Sequence, residues 1–144
     1  MTTHREKRVL AHRPEQLFEL VADVQRYPEF LPWCVASRVR EKPDKETMIA
    51  DLKIGYRGFT ETFASRISLN RSERTVDTCQ ESGPFKYLRS KWYILDVAEN
   101  KSMVHFEIEF EFKSILLETM MGAVFETATQ KMMSAFEKRA GELL

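Results

Sequence analysis

Apolar residues along this chain follow two rhythms, and the change between them marks out its elements. From Ser114 to Leu144 the spacing is three and four, through Leu117, Met120, Met121, Val124, Ala128, Met132, Ala135, Phe136 and Leu143. This is the 3.6-residue period of an amphipathic helix with one broad apolar stripe. Glu118, Glu126, Gln130, Lys131, Lys138 and Arg139 fall largely elsewhere on the wheel, and no proline interrupts the run. At 1.5 Å per residue such a helix reaches roughly 40 Å and needs a broad partner to cover its stripe. Four methionines, Met120, Met121, Met132 and Met133, lie on it, and flexible thioethers suit a surface that adapts to varied apolar shapes.

Upstream, from Val35 to Phe112, the period is two, as in half-buried strands. Val35, Ser37 and Val39 alternate with Arg38 and Arg40 before a turn at Pro43-Asp44-Lys45. Met48, Ala50, Leu52, Ile54 and Tyr56 share one face of the next strand. Phe59, Phe63, Ile67 and Leu69 share a face of the one after, with Glu61 and Ser65 in phase. A shorter strand surrounds Val76, and Gly83-Pro84-Phe85 ends it. In the last hairpin Leu88, Trp92 and Ile94 alternate with Arg89, Lys91 and Tyr93. Val104, Phe106, Ile108, Phe110 and Phe112 alternate with His105, Glu107, Glu109 and Glu111. Folding about Asn100 predicts Lys91 opposite Glu109, Arg89 opposite Glu111, Trp92 opposite Ile108 and Ile94 opposite Phe106. The acidic row then reads as a solvated sheet face.

Before the strands, 3–12 predicts a first strand. Pro14 opens a helix from its favoured first-turn position, with Leu17, Phe18, Val21 and Val24 as the buried stripe. A short second helix or turn follows over 25–30. The stretch Tyr27-Pro28-Glu29-Phe30-Leu31-Pro32-Trp33-Cys34 holds three aromatics and two prolines, and reads as a rigid plug or a cavity wall. Together the elements predict an α+β domain spanning 1–144. A curved antiparallel sheet of about six to seven strands wraps a long C-terminal helix, with two short helices after the first strand. Curvature leaves volume between helix and sheet.

Composition narrows the function. Twenty-two basic and 22 acidic residues cancel, so bulk charge gives no pull towards DNA, RNA or an anionic membrane. Cys34 and Cys79 match no metal or redox spacing and read as reduced thiols. No signal peptide or spanning segment is recognisable, which predicts a cytoplasmic protein. His4, His12 and His105 sit in no triad-like context, and His105 shares the phase of the glutamate row. No metal, catalytic residue or required cofactor is predicted. Cys34 reads as a small buried hydrophobe. Glu61 either meets a polar head group from inside or is turned outward by a bulge near Gly58.

The element order, the run from Pro14-Glu15-Gln16-Leu17-Phe18 through Trp33-Cys34, the stretch from Val104 to Lys113 and the closing Phe136-Glu137-Lys138-Arg139-Ala140 resemble the coenzyme Q-binding, START-like family. That family belongs to the helix-grip or polyketide cyclase-like superfamily, and the likeness covers essentially the whole chain. It implies an apolar tunnel that binds ubiquinone or a similar polyprenyl lipid, making the protein a quinone carrier or chaperone that supports respiration. Some bacterial relatives carry a ribosome-association toxin label, so ribosome binding that inhibits subunit association is the alternative; a cyclase-like enzyme using the same cavity is another. The expected wall comprises Tyr27, Phe30 and Trp33 at one end, and Phe59, Phe63, Trp92, Phe106 and Phe110 on the sheet. Met120, Met121, Val124 and Ala128 complete it on the helix, with Glu61 as a head-group contact. Phe85 and Tyr87, around the Gly83-Pro84 turn, are expected to touch a membrane interface, placing the protein at the periphery of the inner membrane.

Overall fold

The computed structural model describes residues 2–56 and 58–144, with the side chains of Tyr56 and Phe59 outside the described set. Strand β1 (Thr2–Leu10) leads to helix α1 (Pro14–Ala22), which starts with proline at its first turn and buries Leu17, Phe18 and Val21. A 3-10 turn over Val24–Glu29 follows. Six strands run consecutively: β2 (Cys34–Asp44), β3 (Thr47–Tyr56), β4 (Phe59–Asn70), β5 (Thr75–Ser82), β6 (Phe85–Ala98) and β7 (Lys101–Phe112). Helix α2 (Ile115–Leu143) ends the chain, and the Ser114 side chain caps it by accepting the Leu117 N–H at 3.1 Å.

All seven strands form one antiparallel sheet in the order β1-β7-β6-β5-β4-β3-β2. It is a meander with β1 added beside β7. Register shifts occur along β2, between Ala64 and Ser65 on β4, and at both ends of the β6–β7 ladder. Such irregularities increase local twist and let a wide sheet curve over a single helix. The curved sheet, expected with about six to seven strands and observed with seven, and the long helix are both present.

The β6–β7 register differs from the expected one by two residues. Trp92 faces Phe106, Ile94 faces Val104, Lys91 faces Glu107, and Arg89 faces Glu109. Tyr87 stands opposite Glu111. The cause is the turn: Ala98 pairs with Lys101, Asn100 adopts φ 55°, and a register shift between Asp96 and Ala98 follows. A slip of two leaves every side chain on its expected face, so apolar still meets apolar and charge still meets charge.

Two polar ties fix the C-terminal half of α2. Arg8 of β1 donates to Glu137 at 2.7 Å and to Ser134 at 3.1 Å. Arg139 donates to Glu29 at 2.6 Å and lies over the Phe30 ring at 5.2 Å. Between these ties, Phe136 meets Tyr27, Phe30 and Trp92 with ring centroids 5.4, 5.0 and 4.8 Å away. The N-terminal half is differently disposed: Ile115 is 82% exposed and Met120 40%, while Met121 and Phe125 turn to the sheet.

Candidate ligand-binding cavity

Residues of one phase on adjacent strands point to the same side of a sheet, and here that side faces α2. The sheet floor and the helix enclose a cavity of about 100 Å³. Phe63, Trp92 and Phe106 line its sheet side, Tyr27 and Trp33 its end, and Phe125, Met132 and Phe136 its helix side. None of its lining side chains carries a formal charge. Besides the Tyr27 phenol, three carry hydroxyls. Ser65 on β4 is 2% exposed; Thr78 on β5 and Ser90 on β6 are half-buried, and their hydroxyls bond one another at 2.6 Å.

Burial keeps the other polar atoms of the wall in their neutral forms. It holds the Tyr27 phenol above its ordinary value, and the phenol donates to the Val21 carbonyl. It pushes the Cys34 thiol up to about 11, and the thiol faces the Ala36 carbonyl at 3.6 Å. Cys34 is thus a buried small side chain with a suppressed thiolate, unsuited to nucleophilic attack.

Outside the cavity, an apolar groove of about 400 Å³ runs between Pro32-Trp33 and the outward flank of α2. Ala123, Val124, Thr127 and Ala128 form its helix side, and Lys131 stands at its edge. Trp33 borders both spaces. A depression of about 420 Å³ on the opposite face of the sheet is polar, bordered by Arg66, Arg89 and Lys91 together with Asp77, Glu107 and Glu109. Its cations and anions match in number.

Of the expected wall, the structure brings Tyr27, Trp33, Phe63, Trp92 and Phe106 around the cavity. Phe30 instead packs edge-on to Tyr27 and Phe136, behind the wall. Phe110 lies outside the lining, in an aromatic cluster with Phe85, Phe112 and Phe125, of which Phe125 also borders the cavity. Val124 and Ala128 line the outer groove, and Met121 is buried without bordering the cavity. Met120 is corrected outright: adjacent helical residues lie about 100° apart, so only one of Met120 and Met121 can face the sheet, and it is Met121. The Phe59 side chain lies outside the described residues. Glu61 keeps the inward phase, because β3 and β4 pair without a shift from Thr47↔Ser68 to Tyr56↔Phe59, but it is half-buried and outside the cavity lining.

The membrane contact expected of Phe85 and Tyr87 is also corrected. Phe85 is fully buried, because both amide atoms of the Gln80 side chain clamp its backbone, Oε1 accepting its N–H at 3.0 Å and Nε2 donating to its carbonyl at 2.7 Å. Tyr87 is half-buried with an enclosed hydroxyl that lacks a hydrogen-bond partner among the described residues. His105 stacks on Tyr93 on the outer face at 4.3 Å, as its phase implied. Among the described residues no group of acidic, histidine or cysteine side chains could hold a metal, and no helix is long and apolar enough to cross a membrane.

Sequence reasoning missed Phe125, Met132, Phe136 and the three hydroxyls as wall residues. Phe125 was legible: centring the wheel on Met121 gives Met121, Phe125, Thr129, Met133, Phe136 and Ala140 as one stripe, all buried. The hydroxyls were hidden because a serine in an apolar phase reads as a gap in the pattern.

Comparison with known proteins agrees with this architecture. The chain is 36% identical over its full length to ribosome association toxin RatA of Rickettsia prowazekii, covering 99% of that protein. It is 32% identical over 96% of its length to the mitochondrial coenzyme Q-binding protein COQ10 homolog B of Xenopus laevis, of which it spans 57%. The Zhui aromatase/cyclase of a Streptomyces species superposes with a TM-score of 0.85 over 97% of this chain and 93% of that one, at 17% identity, a likeness of fold. A family model described as polyketide cyclase/dehydrase and lipid transport matches residues 10–137. A START-like sheet closed on a long helix, matched along nearly its whole length, places the chain in the polyketide cyclase/dehydrase and lipid transport family.

Proposed function

We propose that the protein binds a neutral, ring-bearing lipid of the ubiquinone class between α2 and the sheet, and serves as its carrier or chaperone. The observation that carries this reading is the uncharged, aromatic-lined cavity with hydroxyls on its floor. An ionised ligand group would lose its hydration there with no counter-charge in the lining, so fatty-acid carboxylates and phosphate head groups are disfavoured. The coenzyme Q-binding name of the Xenopus relative supports the same ligand class. Acid–base catalysis has less support, since burial holds Tyr27 and Cys34 in their protonated forms and no carboxylate or imidazole lines the space.

The test is organic extraction of the purified protein followed by mass spectrometry. Recovery of quinone in a fixed ratio to protein is expected; a clean protein that also fails to take up added quinone refutes the proposal.

A second reading, association with ribosomes, is favoured by the full-length similarity to RatA. The chain's zero formal charge and the balanced outer sheet face supply no general attraction to RNA phosphates. We expect no stoichiometric cosedimentation with ribosomal subunits at physiological salt. Robust, salt-sensitive cosedimentation would establish this second activity.

A further inference from the structure

We infer that Ser65, Thr78 and Ser90 form a hydrogen-bond-donating receptor for a carbonyl oxygen of the bound ligand, which enters ring first with its chain trailing out past Trp33. This rests on the cavity being a ligand site. Three observations carry it.

The first is proton counting. Thr78 and Ser90 stand directly opposite each other on β5 and β6, and their hydroxyl oxygens are 2.6 Å apart. Two hydroxyls hold two protons, and one bond between them uses one. The hydroxyl that accepts this bond keeps its own O–H, free to donate to something in the cavity. Ser65, on the neighbouring strand, pairs with Gln80 while its neighbour Ile67 pairs with Thr78, so Ser65 lies diagonal to Thr78 on the same face. The floor therefore offers O–H donors in a space where every other wall contact is apolar or committed to backbone.

The second is charge. An acceptor suited to hydroxyl donors could be a carboxylate, a phosphate or a carbonyl, but no cationic side chain lines the cavity. That leaves neutral acceptors, among which a ring carbonyl is the strongest that a lipid of the proposed class carries.

The third is size. At about 100 Å³ the cavity is somewhat smaller than the roughly 150 Å³ void that accepts benzene, and holds one ring once side chains adjust. A long chain cannot share it. The apolar groove of about 400 Å³ on the other side of Trp33 can take the chain. Ring inside and chain outside is the arrangement that uses both spaces, with Trp33 between them.

The experiment titrates the full chain with decylubiquinone and with decylbenzene, which keeps the decyl chain and a six-membered ring but lacks the carbonyl and methoxy oxygens and the ring methyl, following the heat of binding by calorimetry. The parent is compared with the Thr78→Val/Ser90→Ala double variant, with Ser65→Ala, and with Thr78→Ser, which keeps the hydroxyl. Losing the donors should weaken decylubiquinone about tenfold and leave decylbenzene unchanged, with Thr78→Ser close to the parent. The carbonyl stretch of bound decylubiquinone should lie lower in the parent than in the double variant. Equal losses for both probes, or none for either, would overturn the receptor while leaving the cavity as the ligand site. If neither probe binds the parent, the ligand-site reading fails, and the receptor with it. Melting temperatures of all variants check that the fold survives.

Discussion

Filling the cavity with a side chain separates a void kept for a ligand from an ordinary core. Val76 suits the purpose: it is 1% exposed on β5, faces Leu69 and Trp92 across the ladder, and borders the cavity. Val76→Phe adds four carbon atoms. At roughly 30 Å³ for each water-sized group, a cavity of about 100 Å³ accepts about three such groups, so the four added carbons fill it and press slightly on its walls. In a close-packed core, overfilling costs about 1–3 kcal/mol. For a chain of this size that lowers the melting temperature by about 2–4 °C per kcal/mol. In the cavity the added carbons gain burial, at most about 0.8 kcal/mol each, against the loss of side-chain freedom and slight repacking. The melting temperature should therefore hold or rise. Copurifying lipid and decylubiquinone binding should both disappear, because the phenyl ring occupies the site of the ligand ring. Thermal melts followed by circular dichroism, lipid extraction and tryptophan quenching measure the three quantities on one preparation. A fall of about 10 °C, or quinone binding at parental strength in a stable variant, would refute the argument.

Three further outcomes follow from the geometry. Glu109→Lys sets a second cation against Arg89, opposite it in the ladder, and should cost about 0.5 kcal/mol on this half-exposed face; adding Arg89→Glu should restore it, while ligand binding stays constant in both. Gly83→Ala should destabilise by about 1–3 kcal/mol or more, because its φ is 148° and the new Cβ would lie 2.4 Å from the Phe63 Cβ, which denaturant titration would register. Alkali should weaken the fold from about pH 9: the unfolded Cys34 thiol ionises there while the folded one holds its proton to about 11, so the unfolded state binds fewer protons and stability falls as pH rises across that window. Tyr27, shifted upward by burial, extends the fall beyond pH 10, and a melting temperature that stays flat from pH 8 to 11 would contradict both.

Much of the fold was legible because the change from period two to period 3.6 is set by backbone geometry, and a sheet and helix of matching apolar faces have few ways to combine. What escaped the sequence depended on single backbone conformations. The β6–β7 register turned on Asn100 at φ 55° and the shift beside Asp96, neither of which leaves a mark in the alternation of the strands. The helix stripe was misplaced by about one residue because Met120 and Met121 both satisfy the spacing of three and four, while their three-dimensional separation admits only one. For the site, the large aromatics Trp92, Phe63 and Phe106 stood out, but nothing in their spacing distinguishes a wall from a core. Phe85 shows the converse: beside a Gly-Pro turn it has the sequence context of a surface loop, yet the Gln80 clamp folds it to zero exposure.

The same arrangement bears on which part of α2 would yield to a ring entering the cavity. The groove at Trp33 adjoins the cavity, and nearer the start of α2 Ile115 and Leu116 are exposed. The C-terminal half of that helix is tied to β1 through Arg8 and Glu137 and to the 3-10 turn through Arg139 and Glu29. Any adjustment that admits a ring is thereby directed to the N-terminal half, where no comparable ion pair ties the helix to the sheet among the described residues and where Met121 and Phe125 meet the sheet.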